Sequence, residues 1–258
     1  MSATLAERAA LYLSAGPRGP DDIARDVLGL ARATGVVAER LVTALLGADP
    51  RFAFDVEGRW AAVSEPSLGA LPLSQLSFAV VDVETTGMRA RAGDRVTELA
   101  VVHVDGGRTA VALESLVNPE VPIPPYIAAL TGIDDTLVRG APRFEELADQ
   151  LLAALNGRVF VAHNARFDWA FVSAEIERAG GLAPRMQQLC TVRMIRALVP
   201  ELGRRNLDSV MQFFGIEAEH RHRAAGDALV TAAVLRRLLA RAEEQGIESW
   251  HALRELVP

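Results

Sequence analysis

The run FAVVDVETTG, Phe78 to Gly87, constrains this chain more than any other ten residues. Its first half is apolar and β-branched, in the manner of a strand buried on both faces. Such a strand has to lie inside a sheet covered by other layers. Yet it ends in Asp82 and Glu84, two residues apart, so strand alternation turns both carboxylates to the same face. Neighbouring unpaired carboxylates resist ionisation and call for a cation or for protons. A lone D-x-E is also what a strand running out into solvent looks like, and the motif alone leaves both readings open. Gly87, after Thr85 and Thr86, permits a tight turn and a close approach of backbone to a ligand.

The pattern around this strand predicts its neighbours. Further strands are predicted over 96–104 and 109–117, then a proline-rich loop over 118–126 and an amphipathic helix over 144–155. A buried strand at 158–162, a helix at 165–179 and a short strand at 188–190 follow. Helices are predicted near 192–198, 207–214, 224–241 and 247–256. Three early strands followed by alternating helices and strands predict an α/β sheet covered by helices. No internal repeat or low-complexity segment interrupts it.

Residues 1–63 read as a unit of their own. Helical spacing predicts helices over 5–13, 20–33 and 36–48, with Ile23, Val27, Leu28, Leu30, Leu41 and Leu45 facing inward. Asp21 and Asp22 suit the start of the second. Two β-like runs, 51–56 and 59–63, join at Glu57-Gly58. Three helices and a hairpin resemble a winged helix. That shape suggests DNA binding, but seven arginines stand against eight acidic residues here. A strong DNA binder carries a basic footprint, so docking to a protein partner or a structural role weighs more. Residues 64–75, with Pro66, Gly69 and Pro72, read as a linker, and 76–258 as the main domain.

Charge sharpens the functional question. The net charge is -6 and no lysine occurs among the 258 residues. Strong non-specific nucleic-acid binding through a basic surface is therefore disfavoured. A nuclease is not, because clustered carboxylates that hold metal ions reverse the local sign. Cys190 is the single cysteine, which excludes an internal disulfide and a cysteine-rich zinc site. Glu7 and Arg8 break what would be the apolar run of a signal peptide, and no apolar stretch approaches the ~20 residues that span a bilayer. A cytoplasmic location with no membrane partner is expected.

Two further acids stand at predicted helix starts. In VAHNARFDWAF, Asp168 falls in the first turn after a buried strand. In AEHRHRAAGD, Asp227 opens a long apolar helix, with His222 five residues ahead. Each acid alone is explained by the helix dipole.

Taken together, DVETTG, HNARFD and HRAAGD resemble the three motifs of the DEDDh (DnaQ-like) exonuclease family, which includes the proofreading epsilon subunit of bacterial DNA polymerase III. The resemblance spans residues 78–240. LVNPEVPIPPYIAALTGIDD is similar to the loop and short helix between the first two motifs, and NLDSVMQFFGI to the helix before the third.

The resemblance implies a ribonuclease H-like fold, a mixed central sheet flanked by helices, beside the small winged-helix-like domain. It implies that Asp82, Glu84, Asp168 and Asp227 hold two divalent metals. Oxygen ligands favour Mg2+ or Mn2+ over zinc. Two such ions, about 4 Å apart, stabilise the attacking hydroxide and the leaving 3′ oxygen of an in-line displacement. His222 would take a proton from the attacking water as general base. A sister group places tyrosine four residues before the last aspartate, where this chain has Arg223. Thr85, Thr86, Gly87 and Met88 are expected to line the pocket for the terminal nucleotide. His163 and Asn164 would contact substrate or order the site, with a strand-end structural role standing beside that.

The expected activity is metal-dependent 3′→5′ hydrolysis of DNA, at single-stranded or frayed 3′ ends, releasing nucleoside 5′-monophosphates. RNA is the alternative substrate, since no motif reads the 2′-hydroxyl; a retired nuclease acting as a nucleic-acid-binding scaffold is the rival outside enzymology. Glu98 is expected on a strand near the site, able to support it. Other features take plainer readings. Gln75-Leu76-Ser77-Phe78 resembles a clamp-binding peptide, but Phe78 should begin the buried strand. Phe167 is expected in the core, His103 and His251 as surface or packing residues, and His220, Arg221 and Arg223 as a charged loop.

Overall fold

The computed structural model describes residues 4–47, 49, 52–54, 58–62, 71–181, 183–184, 186–218 and 221–257. The chain divides into two compact units, Met1–Leu68 and Gly69–Pro258.

In the smaller unit, α1 (Leu5–Leu13) opens with a capping box: Thr4 accepts from the Glu7 N–H while Glu7 accepts from the Thr4 N–H. Helix α2 (Pro20–Asp26) stops well short of residue 33. Gly29 takes a left-handed φ of 73°, and the Leu30 N–H turns back to Ala24. Helix α3 (Val36–Leu46) buries Ala38, Val42 and Leu46. Leu30 and Leu41, expected inward, are exposed. The inward stripe of α3 runs one residue out of phase with the predicted one. Strands β1 (Phe52–Phe54) and β2 (Trp60–Ala62) pair antiparallel. Arg51, Asp55, Val56, Glu57 and Val63, from the predicted hairpin, lie outside the described residues. So do 64–70 of the predicted linker. Leu71 to Gln75 pack into the larger unit: Pro72 bridges to Ser249, and Leu73 is buried.

The larger unit is built on five strands: β3 (Ser77–Thr85), β4 (Val96–Asp105), β5 (Arg108–Leu116), β6 (Val159–Ala162) and β7 (Gln188–Cys190). Their order is β5-β4-β3-β6-β7. The first three form an antiparallel meander, while β6 and β7 run parallel to β3. This is the mixed sheet predicted. Around it lie α4 (Pro125–Thr131), α5 (Asp135–Val138), α6 (Phe144–Leu155), α7 (Ala165–Arg178), α8 (Thr191–Leu198), α9 (Leu207–Phe214), α10 (Ala224–Glu244) and α11 (Trp250–Leu256). The predicted loop ends two residues early, because Pro125 starts α4: proline suits the first helical position, where no N–H is needed.

Alternation along β3 positions the site. Ala79, Val81 and Val83 join Leu99, Val101, Leu151, Phe160 and Phe171 in the core shared with α6 and α7. Asp82 and Glu84 alternate with them onto the opposite face, and α10 packs across β3 and β4. Phe78 is buried, as the strand reading required. No helix among the described residues is long and apolar enough to cross a membrane.

Candidate active site

Three carboxylates converge at the end of β3. Asp82, Glu84 and Asp227 each offer an oxygen within 4.8 Å of the others. Strand alternation brings the first two together, and α10 delivers the third from its first turn, where the Asp227 N–H donates to the Arg223 carbonyl at 3.0 Å. Asp168 comes from the other side. Strand β6 passes to α7 through Asn164, held at a left-handed φ of 82°, a conformation asparagine tolerates better than most residues. That sharp turn buries Asp168 in the first turn of α7. The backbone of Val83, the residue between Asp82 and Glu84, acts on its carboxyl to favour the ionised form.

Burial is the leading influence on these acids. It pushes the Asp82 carboxyl well above its ordinary range, and the negative charges of Asp168 and Glu84 push it further. Glu84 is raised to about 7, by burial first and then by Glu98. Asp168 is raised by burial, against the opposing pull of its backbone hydrogen bonds. Three buried acids that prefer protons mark a site lacking positive charge. Hard carboxylate oxygens on a converging set suit a divalent cation such as Mg2+ or Mn2+.

Two arginines supply part of that charge. Arg221 contacts the Asp227 carboxylate directly, while its Nε and Nη2 donate to Asp208 Oδ1 at 3.0 and 2.9 Å. Arg223 donates from Nε and Nη2 to Glu98, a β4 residue only 1% exposed. Expected as loose loop charges, both are committed to carboxylates. His220 lies outside the described residues. His222 is exposed, with a left-handed φ of 62°; it stands outside the converging carboxylate set.

The remaining predicted site residues divide. Thr85 and Thr86 are buried and spend their hydroxyls locally: Thr85 Oγ1 donates to the Gly87 carbonyl at 2.6 Å, and Thr86 Oγ1 accepts the Arg95 N–H at 2.9 Å. Met88 is 75% exposed. Gly87 does not use a left-handed turn. A Cβ there would stand 2.5 Å from Asp94 Oδ2, which accepts the Arg89 N–H. His163 is half-buried and held at both ring nitrogens, Nδ1 against Thr191 Oγ1 and Nε2 against the Arg205 carbonyl, each at 2.8 Å. A carbonyl only accepts, so Nε2 carries the hydrogen and Nδ1 accepts from Thr191. Asn164 is exposed. Thr191, Asp208 and the Glu98–Arg223 pairing carried no local sequence signal, since each acts through a partner distant in the chain. Phe167 packs against the core and the Phe171 ring. His103 Nε2 donates to the Ala154 carbonyl at 2.8 Å, and His251 faces Glu255 on the surface.

The chain is similar to known exonuclease proteins. The DNA polymerase III PolC-type protein of Caldanaerobacter subterraneus is 36% identical over 172 residues, covering 67% of this chain and 12% of that protein. The 3′-5′ exonuclease DinG of Bacillus subtilis is 32% identical over 184 residues, 71% of this chain and 20% of that one. The matched region is thus a small part of both relatives. Among solved structures, exonuclease X in complex with 5′ overhanging duplex DNA shares the fold, with a TM-score of 0.55 at 24% identity over 71% of this chain and 99% of that one. The family model RNase_T, described as an exonuclease, matches residues 79–235, over half the chain, a range that includes Asp82, Glu84, Asp168 and Asp227. With the fold, the carboxylate cluster and that match in agreement, the chain belongs to the RNase_T exonuclease family.

Proposed function

We propose that this protein is a metal-dependent 3′→5′ exonuclease acting on DNA 3′ ends. The observation that carries this is the convergence of Asp82, Glu84 and Asp227 within 4.8 Å, beside Asp168. Asp82, Glu84, Asp168 and Asp227 would hold two divalent ions, Mg2+ or Mn2+, whose chemistry is to stabilise negative charge on the attacking and leaving oxygens. His222 takes the proton from the attacking water; its exposed place just ahead of α10 leaves it free to do so. Thr85 and Gly87 bond each other and Thr86 bonds Arg95, shaping the β3–β4 loop, and exposed Met88 faces the terminal nucleotide. His163 orders the turn that presents Asp168, and Asn164 makes that turn.

The test is digestion of a 3′-labelled single strand, with mismatched duplex and RNA in parallel, read by product length with Mg2+ or Mn2+. Asp82→Ala and His222→Ala should each abolish product release while the fold is kept. Undiminished hydrolysis by either would sink the assignment. Parallel rates on RNA decide sugar preference, and no release from any substrate would point to a binding scaffold.

The smaller unit is proposed as a winged-helix-like accessory domain with a docking or structural role. Its α3, which a DNA-reading module would lay in the major groove, exposes Val36, Val37 and Leu41. Alanine at Arg32 and Arg40 should leave DNA affinity unchanged; a clear loss would assign the unit to DNA.

A further inference from the structure

Glu98 lies opposite Glu84 in the β3–β4 ladder, one strand away from the acidic cluster and almost fully buried. A buried carboxylate needs partners. Glu98 finds them in the two residues that follow His222. Its Oε1 accepts from Arg223 Nε at 2.9 Å and Nη2 at 2.5 Å, and its Oε2 accepts the Ala224 N–H at 2.7 Å. Ala224 begins α10, where N–H groups lack partners within the helix. A side chain from β4 thus caps the helix that carries Asp227.

The residue just before this double attachment is the strained one. His222 holds a left-handed backbone, which costs a residue other than glycine on the order of 1 kcal/mol. Such a conformation persists where its surroundings over-determine it. We infer that Glu98 and Arg223 form a clamp that fixes the backbone at His222 relative to the strands that carry the acids. Both act as positioning residues: neither touches the reacting atoms, and each works through the chain around His222. The anchor is β4, hydrogen-bonded alongside the strand bearing Asp82 and Glu84, so the base and those acids share one rigid frame. The arginine fork suits this role, because two parallel donors fix an orientation that a single ammonium does not.

The inference rests on the exonuclease reading, in which His222 is the general base. Its test uses the full chain carrying Arg223→Gln or Arg223→Lys, a surface-reaching side chain whose loss leaves the core packed. Arg223→Gln should lower kcat about 10- to 100-fold, the scale of losing a partner that orients a reacting group. KM and Mn2+ affinity by calorimetry should stay within about threefold of the parent. Arg223→Lys should recover part of kcat, and the His222 amide resonance should move in Arg223→Gln. An unchanged kcat, or a loss matched by lysine and glutamine alike with an unmoved His222 resonance, overturns the clamp. Asp82→Ala separates the two ideas: activity surviving there removes the exonuclease reading, whereas a dead Asp82→Ala beside a fully active Arg223→Gln removes the clamp alone.

Discussion

Arg221 lays its guanidinium on the carboxylate of Asp227, one of the three acids that converge at the end of β3. Asp208 on α9 holds the other edge of that guanidinium. An internal cation therefore occupies a ligand that a metal would need. Arg221 also favours ionisation of Asp82 and Glu84, so its removal has two opposed effects on metal binding. At pH 8.5, above the value of about 7 to which Glu84 is raised, the effect through Glu84 is gone and competition for Asp227 dominates. There, losing a partly buried ion pair of about 1 kcal/mol corresponds to about fivefold in affinity. Arg221→Gln should bind Mn2+ more tightly by roughly that factor, read by titration calorimetry. Weaker binding would mean that the arginine serves the site as a preorganising charge.

The raised acids make metal-free stability fall with pH. Burial lifts Asp82, Glu84 and Asp168 above their ordinary range. Between the ordinary carboxylate values near 4 and the raised native ones, the folded state keeps protons that the unfolded chain has released. Stability is then fully present below about pH 4 as far as these groups are concerned, and is lost as pH rises through about 7. With chelator present, the melting temperature should drop by roughly 5 °C from pH 5 to 8.5. Saturating Mn2+ should flatten that slope, and Asp82→Asn should reduce it. A metal-free protein whose melting temperature rises over this range would show that the acids are not held protonated.

Gly87 and Asp94 are matched in shape. A Cβ at Gly87 would stand 2.5 Å from Asp94 Oδ2, and moving that carboxylate breaks its bond to the Arg89 N–H. Gly87→Ala should cost roughly 1–3 kcal/mol, the usual range for overpacking. In an Asp94→Ala background the same substitution should cost much less, because the colliding atoms are gone. Denaturant titration of the four proteins gives the coupling. Equal costs in both backgrounds would remove Asp94 as the reason for the glycine.

These relationships show what sequence could and could not convey. β-branched runs announced β3, β4 and β6, since burial on both faces leaves few other residue types possible. The acids were legible because alternation along β3 makes Asp82 and Glu84 neighbours, and helix-start positions present Asp168 and Asp227. Phase was harder: α3 has apolar residues on several faces, and only the packed core selects Ala38, Val42 and Leu46 over Leu41. The stop of α2 at Gly29 needed a backbone conformation that a single glycine does not declare. Glu98 with Arg223 and His163 with Thr191 are 125 and 28 residues apart, so no local pattern could join them.

That His163 pairing carries the last expectation. With Nε2–H donated to the Arg205 carbonyl, the ring accepts the Thr191 hydroxyl at Nδ1 only while neutral. Burial lowers its pKa below the ordinary histidine value, with the Arg205 carbonyl opposing and Arg221 adding to the effect. Ring nitrogen chemical shifts should therefore report the Nε2–H tautomer at pH 7, with protonation delayed to lower pH than for an exposed histidine. Thr191→Val keeps the side chain's shape and removes the donor, leaving Nδ1 without its partner. The cost should be about 1–2 kcal/mol in denaturant titration. Because His163 stands immediately beyond β6, at the turn that starts α7, the same variant should lower turnover through a displaced Asp168 more than it raises KM. A ring found as the Nδ1–H tautomer would leave Nε2 and the Arg205 carbonyl facing each other with no hydrogen between them, and would overturn this account of how the turn is held.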